Sequence, residues 1–149
     1  LIMAIWEWAL DAYSRPGVPQ AALALQDEHG QNTSFLLWAV HAEAKDPELL
    51  ARAAQAARDW DATALVPLRA VRRALKPALP PFADHARESL REEVKGLELA
   101  AERLLMETLD AMAHRGGGAH ALEALEAASA AWGRPAPANA LAELAAALG

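Results

Sequence analysis

The chemistry of this chain starts at Gln26-Asp27-Glu28-His29, a compact polar cluster in the first third of 149 residues that include no cysteine. Close to it in sequence stand Trp6, Trp8 and Trp38, three of the five tryptophans, together with His41. Asp27 and Glu28 fall in the last turn of a predicted helix, where the macrodipole disfavours negative charge. A local rule broken in this way marks a place to look for function. On the helical wheel Gln26 continues the row of Leu23, and His29 continues the row of Ala22 and Leu25, so two polar side chains run along an apolar face. One reading has Gln26, His29 and His41 contacting a ligand beside Trp6, Trp8 and Trp38. The other has Gln26 and His29 hydrogen-bonded to backbone groups at a neighbouring helix end, as buried polar groups must be.

A second candidate is the row Arg69, Arg72, Arg73 and Lys76, at helical spacings of three, four and seven. Arginine suits bidentate anion recognition, and four cations on one face focus the potential on a phosphate or carboxylate. Against this, Glu88, Glu92, Glu98 and Glu102 on the following helix can neutralise the row across an interface. The pairs Asp84/Glu88 and Glu98/Glu102 have the spacing of the carboxylates that hold magnesium-diphosphate in helical isoprenoid enzymes, but the chain is far too short for those folds. No Glu-x-x-His, His-Glu-x-x-His or Gly-x-Ser-x-Gly occurs, and Gly116-Gly117-Gly118 has neither a strand before it nor Gly-Lys-Ser/Thr after it. The five histidines are scattered. No metal site and no cofactor is therefore expected.

The elements that position these groups read as helices throughout. Composition is rich in Ala and Leu and poor in Ile, Phe and Tyr, and no stretch alternates as a strand would. The fold class is all-α, a single-domain bundle over residues 1–149 of about seven or eight helices with one long central helix. Ile2, Ile5, Trp6, Ala9 and Tyr13 form the apolar face of the first helix, which Pro16-Gly17 ends. A second helix runs from Val18 to Gly30, and a third, capped by Asn32 or Thr33, carries no charge from Phe35 to Val40. Asp46-Pro47-Glu48 opens a fourth helix that ends near Trp60, and a fifth starts or kinks near Ala64 and continues to about Lys76. From Asp84 the pattern Leu90, Val94, Leu97, Ala101, Leu104, Thr108 and Ala111 steps by four and three to about His114. That helix is the spine of the bundle or half of an oligomer interface, and Gly96 within it marks a close helix crossing. A seventh helix presents Leu122, Leu125, Ala128 and Trp132 to the core, and Asn139 begins a short last one.

W-E-W-A-L-D-A-Y-S-R-P-G-V, A-L-A-L-Q-D-E-H-G, F-L-L-W-A, V-P-L-R-A-V-R-R-A-L-K and L-E-L-A-A-E-R-L together resemble a proteobacterial family of small helical proteins known only as a domain of unknown function. The resemblance covers nearly the whole chain and implies a bacterial cytoplasmic setting, without an activity to carry over. A net charge of -6 argues against binding nucleic acid through phosphates, and no apolar run is long enough for a membrane span. Two functions remain open. One is a non-catalytic interaction or adaptor protein with a protein partner or a homodimer. The other is a small-molecule binding protein or enzyme with a tryptophan-lined polar site near the end of the second helix.

Overall fold

A computed structural model describes residues 3–113 and 116–149, so Ile2, His114 and Arg115 lie outside the described residues. Among the described residues the chain is all-helical, with eight α-helices and one π-turn. These are α1 (Ile5–Tyr13), α2 (Val18–His29), α3 (Thr33–His41), α4 (Pro47–Trp60), the π-turn (Asp61–Leu65), α5 (Val66–Ala74), α6 (Asp84–Met112), α7 (Ala121–Trp132) and α8 (Ala138–Leu148). None of the described helices is long and apolar enough to cross a membrane.

Helix α3 is the enclosed element. Phe35, Leu36, Leu37, Trp38 and Ala39 are all fully buried, as a helix without a polar face requires. Asn32 caps it by accepting the Phe35 N–H at 2.9 Å. Around α3 stand α1, α2, α4, α6 and α7, with α8 closing against α2 and α7. The turn between α2 and α3 follows from Gly30, whose φ of +63° suits glycine. Its left-handed backbone lets Gln31 N–H reach back to the Leu25 carbonyl at 3.0 Å.

Next to that turn, buried Gln31 ties the α2–α3 connection to the α7–α8 connection. Its amide donates to Arg134 O at 3.0 Å and its Oε1 accepts from the Ser129 hydroxyl at 3.0 Å, while Ser129 accepts the Ala136 N–H at 2.8 Å. Trp132 adds a bond from its indole N–H to Gly30 O at 2.8 Å. Gln31 thus fills the bracing role that the sequence suggested for Gln26 and His29.

The largest departure from the expected elements lies between α4 and α5. The sequence places a helix end near Trp60, yet the backbone stays helical from Pro47 to Ala74 through the π-turn. Pro67 explains the wide turn. It has no N–H and its ring would strike a carbonyl one turn back in a regular helix. Shifting to the five-residue bond from Val66 N–H to Asp61 O gives the ring room without ending the helix.

Helix α6 has 29 residues and extends about 43 Å, pairing with α5 along its first half and with α1, α3 and α4 along its second. Gly96 does not mark a crossing: no heavy atom lies within 4 Å of where its Cβ would stand, and the residue is exposed. The seam read from the sequence is only half used. Val94 and Ala101 are buried, whereas Leu90, Leu97 and Leu104 face outward. In α7 the burial falls on Ala124, Leu125, Ala128 and Ser129, with Leu122 exposed.

Candidate functional site

The π-turn carries Asp61 to a place where four other elements send polar side chains. From α5, Arg69 reaches Asp61 Oδ1 with one guanidinium nitrogen and Gln26 Oε1 of α2 with another, each at 3.5 Å. Asn32, at the start of α3, donates its side-chain amide to the same Asp61 oxygen at 3.5 Å. Tyr13, at the end of α1, donates its hydroxyl to Thr33 Oγ1 at 3.5 Å. Gln26, Asp27, Val66, Arg69 and Arg73 line a cleft of about 410 Å³ beside these groups.

The electrostatics centre on Arg69 and Glu102. Burial pushes the Glu102 carboxyl above the ordinary range, opposed by Arg69, reinforced by Glu98 and opposed again by Arg72. Partial burial also raises Tyr13, which keeps 37% of its surface exposed, against the Thr33 hydrogen bond, with Glu102 adding to the rise and Arg69 subtracting. Both shifts favour the neutral forms of a carboxyl and a phenol within electrostatic reach of Arg69. The chain has no cysteine thiol to serve as a nucleophile beside them.

How tightly the arginines are bonded separates them. Arg72 donates to Glu98 at 2.6 Å, and Arg87 to Glu88 and to the Leu75 carbonyl at 2.7 Å each. Arg69 lies between them in exposure, at 15% against 25% for Arg72 and 8% for Arg87, yet among the described residues it has only its two 3.5 Å contacts. At that distance a hydrogen bond is at its outer limit.

The residues named from the sequence are brought together in part. Gln26, Arg69 and Arg73 share the cleft although they came from two separate candidates. Arg72 is committed to Glu98, and Lys76 is exposed beyond the end of α5. His29 is half-buried, 3.9 Å from Glu28 and away from this cleft.

The expected single aromatic cluster is divided. Trp38 lies in the core, stacked on Phe35 at 5.8 Å, and Phe35 in turn meets Trp132, with the Trp38 indole N–H unpartnered among the described residues. Trp8 packs instead against His41 at 5.2 Å, where Asp110 stands 3.5 Å from the imidazole, and Trp6 lies under Arg103. The separation follows from α3 itself, whose opposite ends hold Phe35 and His41.

The carboxylate pairs of α6 are engaged with arginine. Asp84 and Glu88 both hold Arg87, and Glu98 holds Arg72. Among the described residues no group of three or more His, Asp or Glu is placed to hold a metal ion. Sequence reasoning missed Tyr13, Asn32, Thr33 and Asp61 as members of the polar cluster and weighed Glu102 only as a glutamate neutralising the arginine row and as half of a carboxylate pair. The available signal was Pro67, six residues after Asp61 in an otherwise helical run.

Residues 4–109, well over half of the chain, match the family described as Protein of unknown function (DUF2390). The chain belongs to this family. The matched span contains every residue of the cleft and of the polar cluster, while α7 and α8 lie beyond it. No curated protein and no solved structure matches the chain.

Proposed function

We propose that the protein binds a small carboxylate-bearing molecule in the cleft between α2 and α5, with Arg69 as the anion-gripping residue. The observation that carries this reading is the loose bonding of Arg69, a largely enclosed guanidinium with two contacts at 3.5 Å and a cleft of about 410 Å³ beside it. A carboxylate in that cleft takes two charge-assisted hydrogen bonds of about 2.7–2.9 Å from such a guanidinium. Arg73 supplies a second cation at the mouth, and the Gln26 amide supplies both a donor and an acceptor for a neutral polar tail. Asp27 in the cleft wall and Asp61 beneath it weigh against a doubly charged phosphate, so a monoanion is the better match.

The core that runs from α1 to α8 supports reading residues 1–149 as one helical domain. The acidic net charge fits a bacterial cytoplasmic setting. The role is binding.

A thermal-shift panel of amino-acid-sized monocarboxylates, run beside inorganic phosphate and sulfate, tests the reading. A saturable rise in Tm with a monocarboxylate, larger than with phosphate and abolished in Arg69→Gln, is the expected result. An Arg69→Gln variant that responds like the wild type, or a wild type that responds to no carboxylate, refutes it.

A further inference from the structure

The α5–α6 hairpin has two faces. One carries the Arg72–Glu98 pair and the guanidinium of Arg69. Along the other runs a row of outward leucines on α6, Leu90, Leu97 and Leu104, which are 50%, 58% and 53% exposed. They recur every seven residues, the repeat of a helix seam that meets another helix. The inner edge of that seam, Val94 and Ala101, is covered by this chain; its outer edge has no cover.

Each end of the row opens into an apolar groove. Leu90 lines one of about 290 Å³ with Leu75, Leu79 and Phe82. Leu104 lines the other, of about 280 Å³, with Ala56, Trp60 and Thr63. Leu97 stands midway, seven residues from each, so the grooves are equally spaced about it by about 10 Å along the helix.

We infer that this face is the interface of a homodimer, in which a second copy packs antiparallel across a two-fold axis at Leu97. In that arrangement Leu97 meets its own counterpart, and the Leu104–Trp60 end of one copy meets the Leu90–Phe82 end of the other. Self-complementarity of this kind is what a two-fold interface requires. A parallel register sets Glu93 and Glu107, which border the leucine row, each against its own copy, and the antiparallel register does not.

Area supports the same occupant. With Leu79, Phe82 and Val71, the three leucines leave on the order of 600 Å² of apolar surface per chain, close to the roughly 800 Å² per partner of a standard interface. Such a patch is at the upper end of what monomers expose.

Sedimentation equilibrium of the full chain over micromolar to millimolar concentrations reads the oligomer directly. Twice the 15.9 kDa chain mass is expected at the upper end, and Leu97→Arg, with native circular dichroism, is expected to remain monomeric. Because the chain has no cysteine, position-specific cross-linking also reads the register. Leu97→Cys should form a disulfide dimer on mild oxidation. Leu90→Cys alone and Leu104→Cys alone should not, while a mixture of those two variants should cross-link to each other. A wild type that stays monomeric throughout, a dimer untouched by Leu97→Arg, or self-cross-linking by Leu90→Cys as efficient as by Leu97→Cys would each overturn the inference.

Discussion

Two glycine-to-alanine substitutions should move stability in opposite directions, and the structure sets both signs. At Gly96, in the middle of exposed α6, a Cβ meets no heavy atom within 4 Å. Alanine there gains only the helix-propensity difference, roughly 0.8–1.0 kcal/mol. For a chain of this size that raises Tm by about 2–4 °C. At Gly117 a Cβ would stand 2.2 Å from the Glu43 carbonyl oxygen and 3.0 Å from its carbon. That carbonyl cannot withdraw freely, because it accepts the Ala119 N–H at 3.2 Å and belongs to a residue already held at a φ of +52°. Forcing a methyl into packed backbone costs about 1–3 kcal/mol. The reduced entropy of the unfolded chain returns roughly 0.4–1 kcal/mol of that. Gly117→Ala should therefore lose on the order of 1–2 kcal/mol. Urea titrations followed by circular dichroism, with unchanged m-values, measure both. A Gly96→Ala variant less stable than wild type would mean that α6 is covered at that position, and a stabilised Gly117→Ala would mean that the loop stands off Glu43.

Glu102→Gln tests the buried carboxyl by pH. Because burial raises the folded pKa above the unfolded value of 4.5, this group's contribution is fully present below about pH 4.5 and is lost as pH rises through the higher folded value. The variant should therefore gain on the wild type in urea midpoint between acid and neutral pH; a constant difference across that interval would contradict the assignment. Ser129→Ala leaves the Ala136 N–H and Gln31 Oε1 unpaired in a fully buried position, and should cost about 1–3 kcal/mol by the same titration. A loss under about 0.5 kcal/mol would show that the Gln31 knot does not hold the two turns together.

Much of the fold can be read from local chemistry. Gly30 ends α2 and Asn32 caps α3, and Asp46 with Pro47 opens α4, because each signal acts within one turn of the chain. What escaped depends on contacts distant in sequence. Gln31 reads as a plain connector until Arg134 and Ser129 arrive from about a hundred residues away. Nothing in the stretches around Gly96 and Gly117 shows which of the two is crowded, since the position of Glu43 decides it. Gln26 and Arg69 were each singled out on helical-wheel grounds, but nothing in either stretch shows that they face one cleft. Trp6, Trp8 and Trp38 suggested one aromatic wall, and the nine residues of α3 hold their neighbours apart.

The π-turn links these gaps. One extra residue in a helical turn rotates everything after it by about 100° relative to everything before. A reading that ends one helix at Trp60 and starts another near Ala64 therefore loses the phase between Asp61 and Arg69. That phase decides which side of α5 carries the arginines and which side continues Trp60 toward the leucines of α6. With the wide turn in place, Arg69 faces Asp61 and Gln26, Arg72 faces Glu98, and the apolar side is left to Leu90, Leu97 and Leu104. Pro67 requires such a turn only because the helix does not stop before it, and the helix does not stop because Leu65 and Ala57 are both buried in the same core. The polar cleft and the apolar face thus have one backbone cause.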